Sequence, residues 1–477
     1  LEAAVKVIEG MRAEIKLDQL KDGFITNKMA VYETLVSLLV DMGRDADAFY
    51  VAERSRARNL IDLLGNQRLS LHGAVNQELY DKEKGLKIQI VEDETLLAQA
   101  TDPDEKAVYS QALDRTRDRH RDLMLEIQLK NPGLASILSV DPLTLSQVQT
   151  LLEPGTAILA YYVVPDEILC WFITPDAMDL SRTPLGRQTL AQKVLDYRRT
   201  LQNLEPPEAG AEELYTWLLA PLKDRLKGVK TLGIVPHHIL HHLSFATLFD
   251  GKDYLVDRVP LFSLPSASVL RHTTQNRAKE KNTKVLAVGN PDLNNTALAL
   301  PFAEKEVATI GWNFPDVTVL TGKEATEGWV ARNISDFGII HLASHGEFDP
   351  VNPLFSSVKL APDDQDDGNL RASEVFGLDI RANLVMLSAC QTGLGKITSG
   401  DDVIGMNRAF LYAGTNAIVS SLWRVSDIST ALLVKQFYRE YKNRSKAESL
   451  SRAMRHVKNR YPHPGYWGAF VLVGDYR

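Results

Sequence analysis

A chain of 477 residues, 44% hydrophobic and 24% charged, has the size and composition of a soluble protein with several globular domains. A net charge of −7 and a pI near 5.9 give no general attraction to phosphate backbones, so direct nucleic-acid binding is not expected. The longest apolar run, Ala157 to Val164, breaks at Pro165-Asp166-Glu167, far short of the ~18 residues that cross a membrane, so no membrane association is expected. Two cysteines, Cys170 and Cys390, argue against a disulfide framework and fit a reducing cytosol, which makes a cytoplasmic location the expectation. No secretory signal is visible, and a sequence opening on Leu1 rather than Met reads as a fragment or trimmed form.

Residues 1–68 read as helices. Tyr32, Leu35 and Leu39 fall on one face, Gly43 makes a turn, and Ala48, Ala52, Ala57 and Leu60 follow on a second helix. Residues 69–138 continue as a long antiparallel helical hairpin. Val75, Leu79, Leu86 and Ile90 mark one arm, Leu123, Met124 and Ile127 the other, and Asp102-Pro103 lies in the turn between them. The charged run Asp114 to Asp122 is its solvated face. Asn131-Pro132-Gly133 and Asp141-Pro142 then punctuate a boundary.

Beyond it, strands alternate with helices. AILAYYVV and ILCWFIT predict a β-hairpin, LAQKVLDYRRTL and ELYTWLLAPLKDRL helices, and TLGIVP a short buried strand. From residue 281 the alternation is regular: KVLAVGNP, VTVLTG, GIIHLASHG, NLVMLSACQTG, NAIVSSLW and AFVLVGDY are strands, with helices between them. Apolar strands alternating with helices predict a mostly parallel sheet covered on both faces. Working groups in such sheets sit at the carboxyl ends of strands.

Two strand ends carry chemistry. His345-Gly346 ends one, and Cys390 ends another before Gln391-Thr392-Gly393 turns away. A cysteine nucleophile needs a base to make the thiolate and donors for the oxyanion. Glycine after the histidine lets a backbone amide approach a carbonyl, and the Cys390 amide supplies a second donor. The 45-residue separation leaves room for one helical crossover between neighbouring parallel strands, which sets His345 beside Cys390. A lone cysteine at a strand end is more often a small buried hydrophobe, and a lone histidine before glycine a turn residue. It is their joint placement that points to catalysis. Cys170, inside ILCWFIT, reads as core.

Ser388-Ala389-Cys390-Gln391-Thr392-Gly393 keeps the Ala-Cys-Gln of a caspase signature but has Ser before it and Gly one residue late, which excludes a true caspase. HLASHGEFD, LVMLSACQTGLG, GDDVIGMNRAFLYAG, SLWRVSD and IVPHHILHHLSFATLFDGKDYL together resemble the CHAT family (caspase-like domain associated with tetratricopeptide repeats), related to the separases, over roughly residues 140–477. The helical N-terminus is the family's usual companion and looks like a truncated tetratricopeptide array. The resemblance implies an α/β caspase-like fold behind an all-α region, with residues 139–280 as a pseudo-caspase-like part and 281–477 as the catalytic core. It implies a cysteine endopeptidase with His345 as base, Cys390 as nucleophile and the Gly346 and Cys390 amides as oxyanion hole. Substrate is expected along Ser421, Trp423 and Arg424. Arg424 would suit an acidic P1 side chain, and Asp402 or Asp427 a basic one. A protein substrate, and a regulatory protein held by the helical region, are the implied partners. Bacterial relatives suggest a role in antiviral defence or cell death.

No cofactor or metal is expected. His237, His238, His241 and His242 resemble a metal motif but lack the Glu of H-E-x-x-H, and the acidic loop Asp363 to Asp367 lacks EF-hand spacing. The competing expectation is a catalytically silent caspase-like scaffold for protein–protein contact.

Overall fold

The structure is a computed structural model that describes residues 18–65, scattered positions between 82 and 119, and residues 142–277, 282–347, 356–391 and 402–477, apart from single positions within these ranges. Contacts divide the chain into two units, Leu1–Pro142 and Leu143–Arg477.

In the first unit, α1 (Asp18–Asp41) and α2 (Asp45–Gly65) form the expected helical hairpin. Gly43 turns the chain at φ +69°, a left-handed value that glycine adopts without strain. Tyr32, Leu35, Val36 and Leu39 pack against Ala48, Phe49 and Ala52, the small residues admitting close approach. A buried ion pair, Arg56 to Glu53 at 2.6 Å, lies on the second helix. Ala57 and Leu60 are helical, but their side chains lie outside the described residues. Further along, Thr116 donates to Asp93 at 2.7 Å and Arg119 to Gln89 at 3.4 Å, the crossing pattern of antiparallel arms. Val75, Leu79, Leu123, Met124 and Ile127 lie outside the described residues.

The second unit opens with α3 (Leu145–Leu151), whose Thr144–Gln147 capping box satisfies its first amides. Strands β1 (Thr156–Val163), β2 (Ile168–Ile173) and β3 (Met178–Thr183) form an antiparallel meander. Helices α4 (Arg187–Gln202) and α5 (Glu208–Leu218) lead to β4 (Thr231–Val235), β5 (Leu261–Ser263) and α6 (Val269–Arg277). Next come β6 (Val285–Pro291), α7 (Pro301–Ile310), β7 (Val317–Gly322), α8 (Glu327–Asn333) and β8 (Ile339–Ala343). The short strands β9 (His345–Glu347), β10 (Ser357–Lys359) and β11 (Asn369–Arg371) precede β12 (Leu384–Leu387) and β13 (Cys390–Gln391). Helix α9 (Asp402–Tyr412), β14 (Ala417–Ser421), α10 (Asp427–Tyr441), α11 (Lys446–Arg460) and β15 (Phe470–Gly474) complete the unit.

Eleven strands among the described residues make one sheet, in the order β3-β2-β1-β4-β5-β15-β14-β12-β8-β6-β7. It is parallel except for the β1–β2, β2–β3 and β14–β15 pairs. Every residue of β1, β2, β8, β12 and β14 is buried, so both faces of these strands are covered. This is the mostly parallel α/β sheet that the alternating pattern predicts. Strands from before and after residue 281 share it, since β5 pairs with β15.

One position controls how β8 seats. Gly338 donates its amide to Lys284 O at 3.0 Å, and a Cβ there would collide with the Asn282 carbonyl oxygen. Backbone cannot swing aside as a side chain can. Gly338→Ala is expected to cost about 1–3 kcal/mol through overpacking, read as a lower urea midpoint with unchanged m-value.

Candidate active site

Strands β8 and β12 lie side by side, Leu384 opposite Ile339 through Leu387 opposite Leu342. At their carboxyl ends the sequence turns polar at Ser344 and Ser388, and both chains enter a second, four-stranded sheet, β11-β10-β9-β13. There β9 and β13 pair in parallel, with Cys390 the register partner of His345 and Gln391 of Gly346. Neighbouring strands are ~4.8 Å apart, so the two backbone positions are one strand spacing from each other. The link between β8 and β12 is not the single helical crossover expected. It is the β9–β10–β11 meander followed by one helical turn, Ala372–Val375. The meander is what carries His345 clear of the large sheet and into line with Cys390.

His345 is half-buried, and its Nε2 lies 2.9 Å from the Leu298 carbonyl oxygen. A carbonyl only accepts, so Nε2 carries the proton and donates, leaving Nδ1 with its lone pair. The Leu298 loop is itself fixed. Asn295 caps the turn Thr296–Leu298 through the Ala297 amide, and Asn290, at φ +51°, accepts from the Leu300 amide at 2.6 Å. No side-chain signal in the sequence announces a backbone acceptor of this kind.

Beside His345 runs a groove of about 500 Å³, bordered by Leu300, Phe302, Ser388, Arg424, Asp427 and Thr430. Glu306 reaches its floor, with Oε1 2.8 Å from His341 Nε2, and His341 Nδ1 lies 3.1 Å from the Tyr438 hydroxyl. Thr430 Oγ1 is buried and has no hydrogen-bond partner among the described residues. Glu306, His341 and Thr430 escaped the sequence reading because each sits singly in a helix or strand of ordinary pattern.

The family model for the CHAT domain matches residues 208–475, more than half of the chain. The chain belongs to the CHAT domain family. Similar curated proteins are Tetratricopeptide repeat protein 28 of Homo sapiens, 26% identical over an alignment of 343 residues, and its Mus musculus counterpart, 25% identical over 341. Each alignment takes in 58% of this chain but 13% and 14% of those proteins, so the chain spans about one seventh of their length. Among solved structures, two crystal structures of the Saccharomyces cerevisiae separase–securin complex align at 11% identity. Their TM-scores are 0.47 and 0.45, over 88% and 93% of this chain and 37% of each of those chains. At such scores the likeness decides nothing.

Of the residues expected to meet substrate in the CHAT domain, Arg424 and Asp427 border the groove at His345, both exposed, and neither is ion-paired with a described residue. Ser421 is buried at the end of β14, opposite Phe470. Trp423 is core rather than groove wall: it is 1% exposed and its indole N–H donates to Gly465 O at 3.2 Å. Asp402 begins α9, and its side chain lies outside the described residues. Gly346 is buried between Gln391 and Val358 in the small sheet. Cys170 is buried in β2, as expected.

The histidine cluster of the CHAT domain is tied into the protein. His237 Nδ1 accepts from the Val163 amide at 3.0 Å, and its ring stacks on Tyr162. His242 Nδ1 lies 2.7 Å from Arg198 Nη1, and burial together with that guanidinium holds the imidazole down to about 4, neutral at physiological pH. Arg198 also donates to Leu422 O, joining α4 to the end of β14.

The acidic loop caps a helix. A Cβ at Gly328 would meet Asp366 Oδ2 at 2.5 Å and Asp363 Oδ2 at 2.6 Å, so these carboxylates sit over the first turn of α8, where negative charge is favoured. Among the described residues no cluster of three metal-ligating side chains occurs, and no helix is long and apolar enough to cross a membrane. Beside this loop, Glu327 accepts from the Gly368 amide at 2.7 Å, and burial, then Glu374, push its carboxyl up to about 7 from an ordinary 4.5. A raised carboxyl binds its proton more tightly in the fold than in the unfolded chain. Its contribution is therefore complete below about pH 4.5 and is lost as pH rises through 7. Glu327→Gln, neutral throughout, is expected to flatten the fall in stability between pH 5 and 8, measured by urea titration at each pH.

Proposed function

We propose that the chain is a cysteine endopeptidase in which His345 is the general base and Cys390 the nucleophile. The observation that supports this best is the strand register of His345 with Cys390 beside a groove, together with the Leu298 carbonyl that accepts from His345 Nε2. On this reading the Cys390 thiol loses its proton to Nδ1 and the sulfur attacks the scissile carbonyl. The Cys390 backbone amide meets the oxyanion, and the imidazolium then protonates the departing amine. Water, deprotonated by the same imidazole, hydrolyses the thioester and frees the sulfur.

Arg424 and Asp427 give the groove one charge of each sign, so a charged P1 residue is the expected substrate feature. The helical hairpin of the first unit is the proposed seat of a regulatory protein, since paired helices present extended surfaces for binding. The test is to incubate the protein with a proteome-derived peptide library and sequence the new termini. Acidic residues before the cuts assign Arg424 as the P1 partner, and basic residues assign Asp427. If no peptide is cut and an electrophilic peptide probe fails to label Cys390, the endopeptidase reading falls.

A further inference from the structure

A second cavity lies within the Leu143–Arg477 unit, with about 860 Å³ of space free of atoms, part of it open to solvent. Most of its wall is apolar, with Phe262 of β5, Leu411 of α9, Met454 of α11 and Leu422 after β14. Six polar side chains also line it, His241, Ser244, Ser263, Asn407, Arg408 and Ser451, of which Ser263 donates to Ile234 O at 3.2 Å and Asn407 to Ser420 Oγ at 3.0 Å. Arg408 is 6% exposed and makes no hydrogen bond or ion pair with any described residue. Ser244 is 1% exposed, and its Oγ is buried without a partner among the described residues.

A guanidinium is always charged, and holding it unpaired among hydrocarbon walls is unfavourable unless something supplies the counter-charge. None of the described protein groups does. Its planar fork matches a carboxylate, and one charge plus one hydroxyl suits a monoanion better than a doubly charged phosphate. Most of the remaining wall offers hydrophobic contact. We propose that this cavity binds an amphiphilic monoanion, a medium-chain acyl carboxylate, with its head on Arg408 and Ser244 and its chain between Phe262, Leu411 and Met454. This site is separate from the groove at His345, although Leu422 in its wall is two residues from Arg424.

The full chain would be titrated by calorimetry with dodecanoate, dodecan-1-ol and dodecyltrimethylammonium, each below its micelle concentration. Dodecanoate is expected to bind saturably, one per chain, at least tenfold tighter than the alcohol, and the cation not at all. Arg408→Met, which keeps the bulk and removes the charge, should erase the preference for the carboxylate. Met454→Trp, which adds bulk to the cavity wall, should abolish dodecanoate binding. Absence of saturable dodecanoate binding, equal affinity for the alcohol, or unchanged binding in Met454→Trp would each overturn the proposal. The head-group comparison on the unaltered chain decides even if Arg408→Met does not fold.

Discussion

Cys390→Ala and His345→Ala are each expected to lower peptide cleavage on the order of 10⁴-fold or more, the scale on which loss of a nucleophile or its base acts in hydrolases of this design. The size follows from what remains. Without Cys390 no sulfur attacks the carbonyl, and only the amide donor and substrate binding are left. In the proposed mechanism, loss of His345 leaves the thiol without its base and the departing amine without its acid. The two groups act on the same steps, so the double variant should be no more than a few-fold worse than either single one. Initial rates on a fluorogenic peptide built from an observed cut site would measure this, with circular dichroism confirming that each variant folds. Cleavage by Cys390→Ala within tenfold of the unaltered chain would sink the assignment.

Lys446→Met is expected to destabilise the second unit by about 3 kcal/mol. Lys446 is 1% exposed, and its Nζ donates to Asp475 Oδ2 at 3.1 Å and to Arg477 O at 2.7 Å. Asp475 is 0% exposed. Removing one member of a buried pair leaves the other charge in a medium that cannot solvate it, which typically costs about 3–5 kcal/mol. The lower end applies because Arg477 Nε still reaches Asp475 Oδ1 at 2.9 Å. Replacing both partners, Lys446→Met with Asp475→Leu, should recover part of the loss, and thermal unfolding of the three variants measures it. Equal stability of Lys446→Met and the unaltered chain would mean that Arg477 alone neutralises Asp475.

The strands and helices of the second unit were legible because apolar runs of strand length between amphipathic helices have few alternative folds. AILAYYVV and ILCWFIT, separated by Pro165-Asp166-Glu167, are the antiparallel pair β1 and β2. Strand order was not legible, because pairing is decided by partners distant in sequence. Nothing in AFVLVGDY says that it lies between NAIVSSLW and the strand at Leu261. The backbone juxtaposition of His345 and Cys390 could be anticipated from two strand ends, but not the meander that achieves it. The indole of Trp423 misled for a physical reason. A tryptophan just past a strand end can face a groove or the core, and the Gly465 carbonyl that holds its N–H is forty-two residues away.

The place of β15 has a consequence for how the molecule is made. Phe470–Gly474 is the last of the described strands in chain order, yet it lies in the middle of the sheet, between β5 and β14. During translation the strands from β1 to β5 and from β6 to β14 emerge first, as two open sheets. The edges at Leu261–Ser263 and Ala417–Ser421 stay raw until the final strand is delivered. A ribosome that stalls before Phe470 therefore releases a chain whose two part-sheets, one of them carrying His345 and Cys390, are not joined. Such a product would be prone to pair through its edges with its own kind, and the cell would meet it as a quality-control substrate.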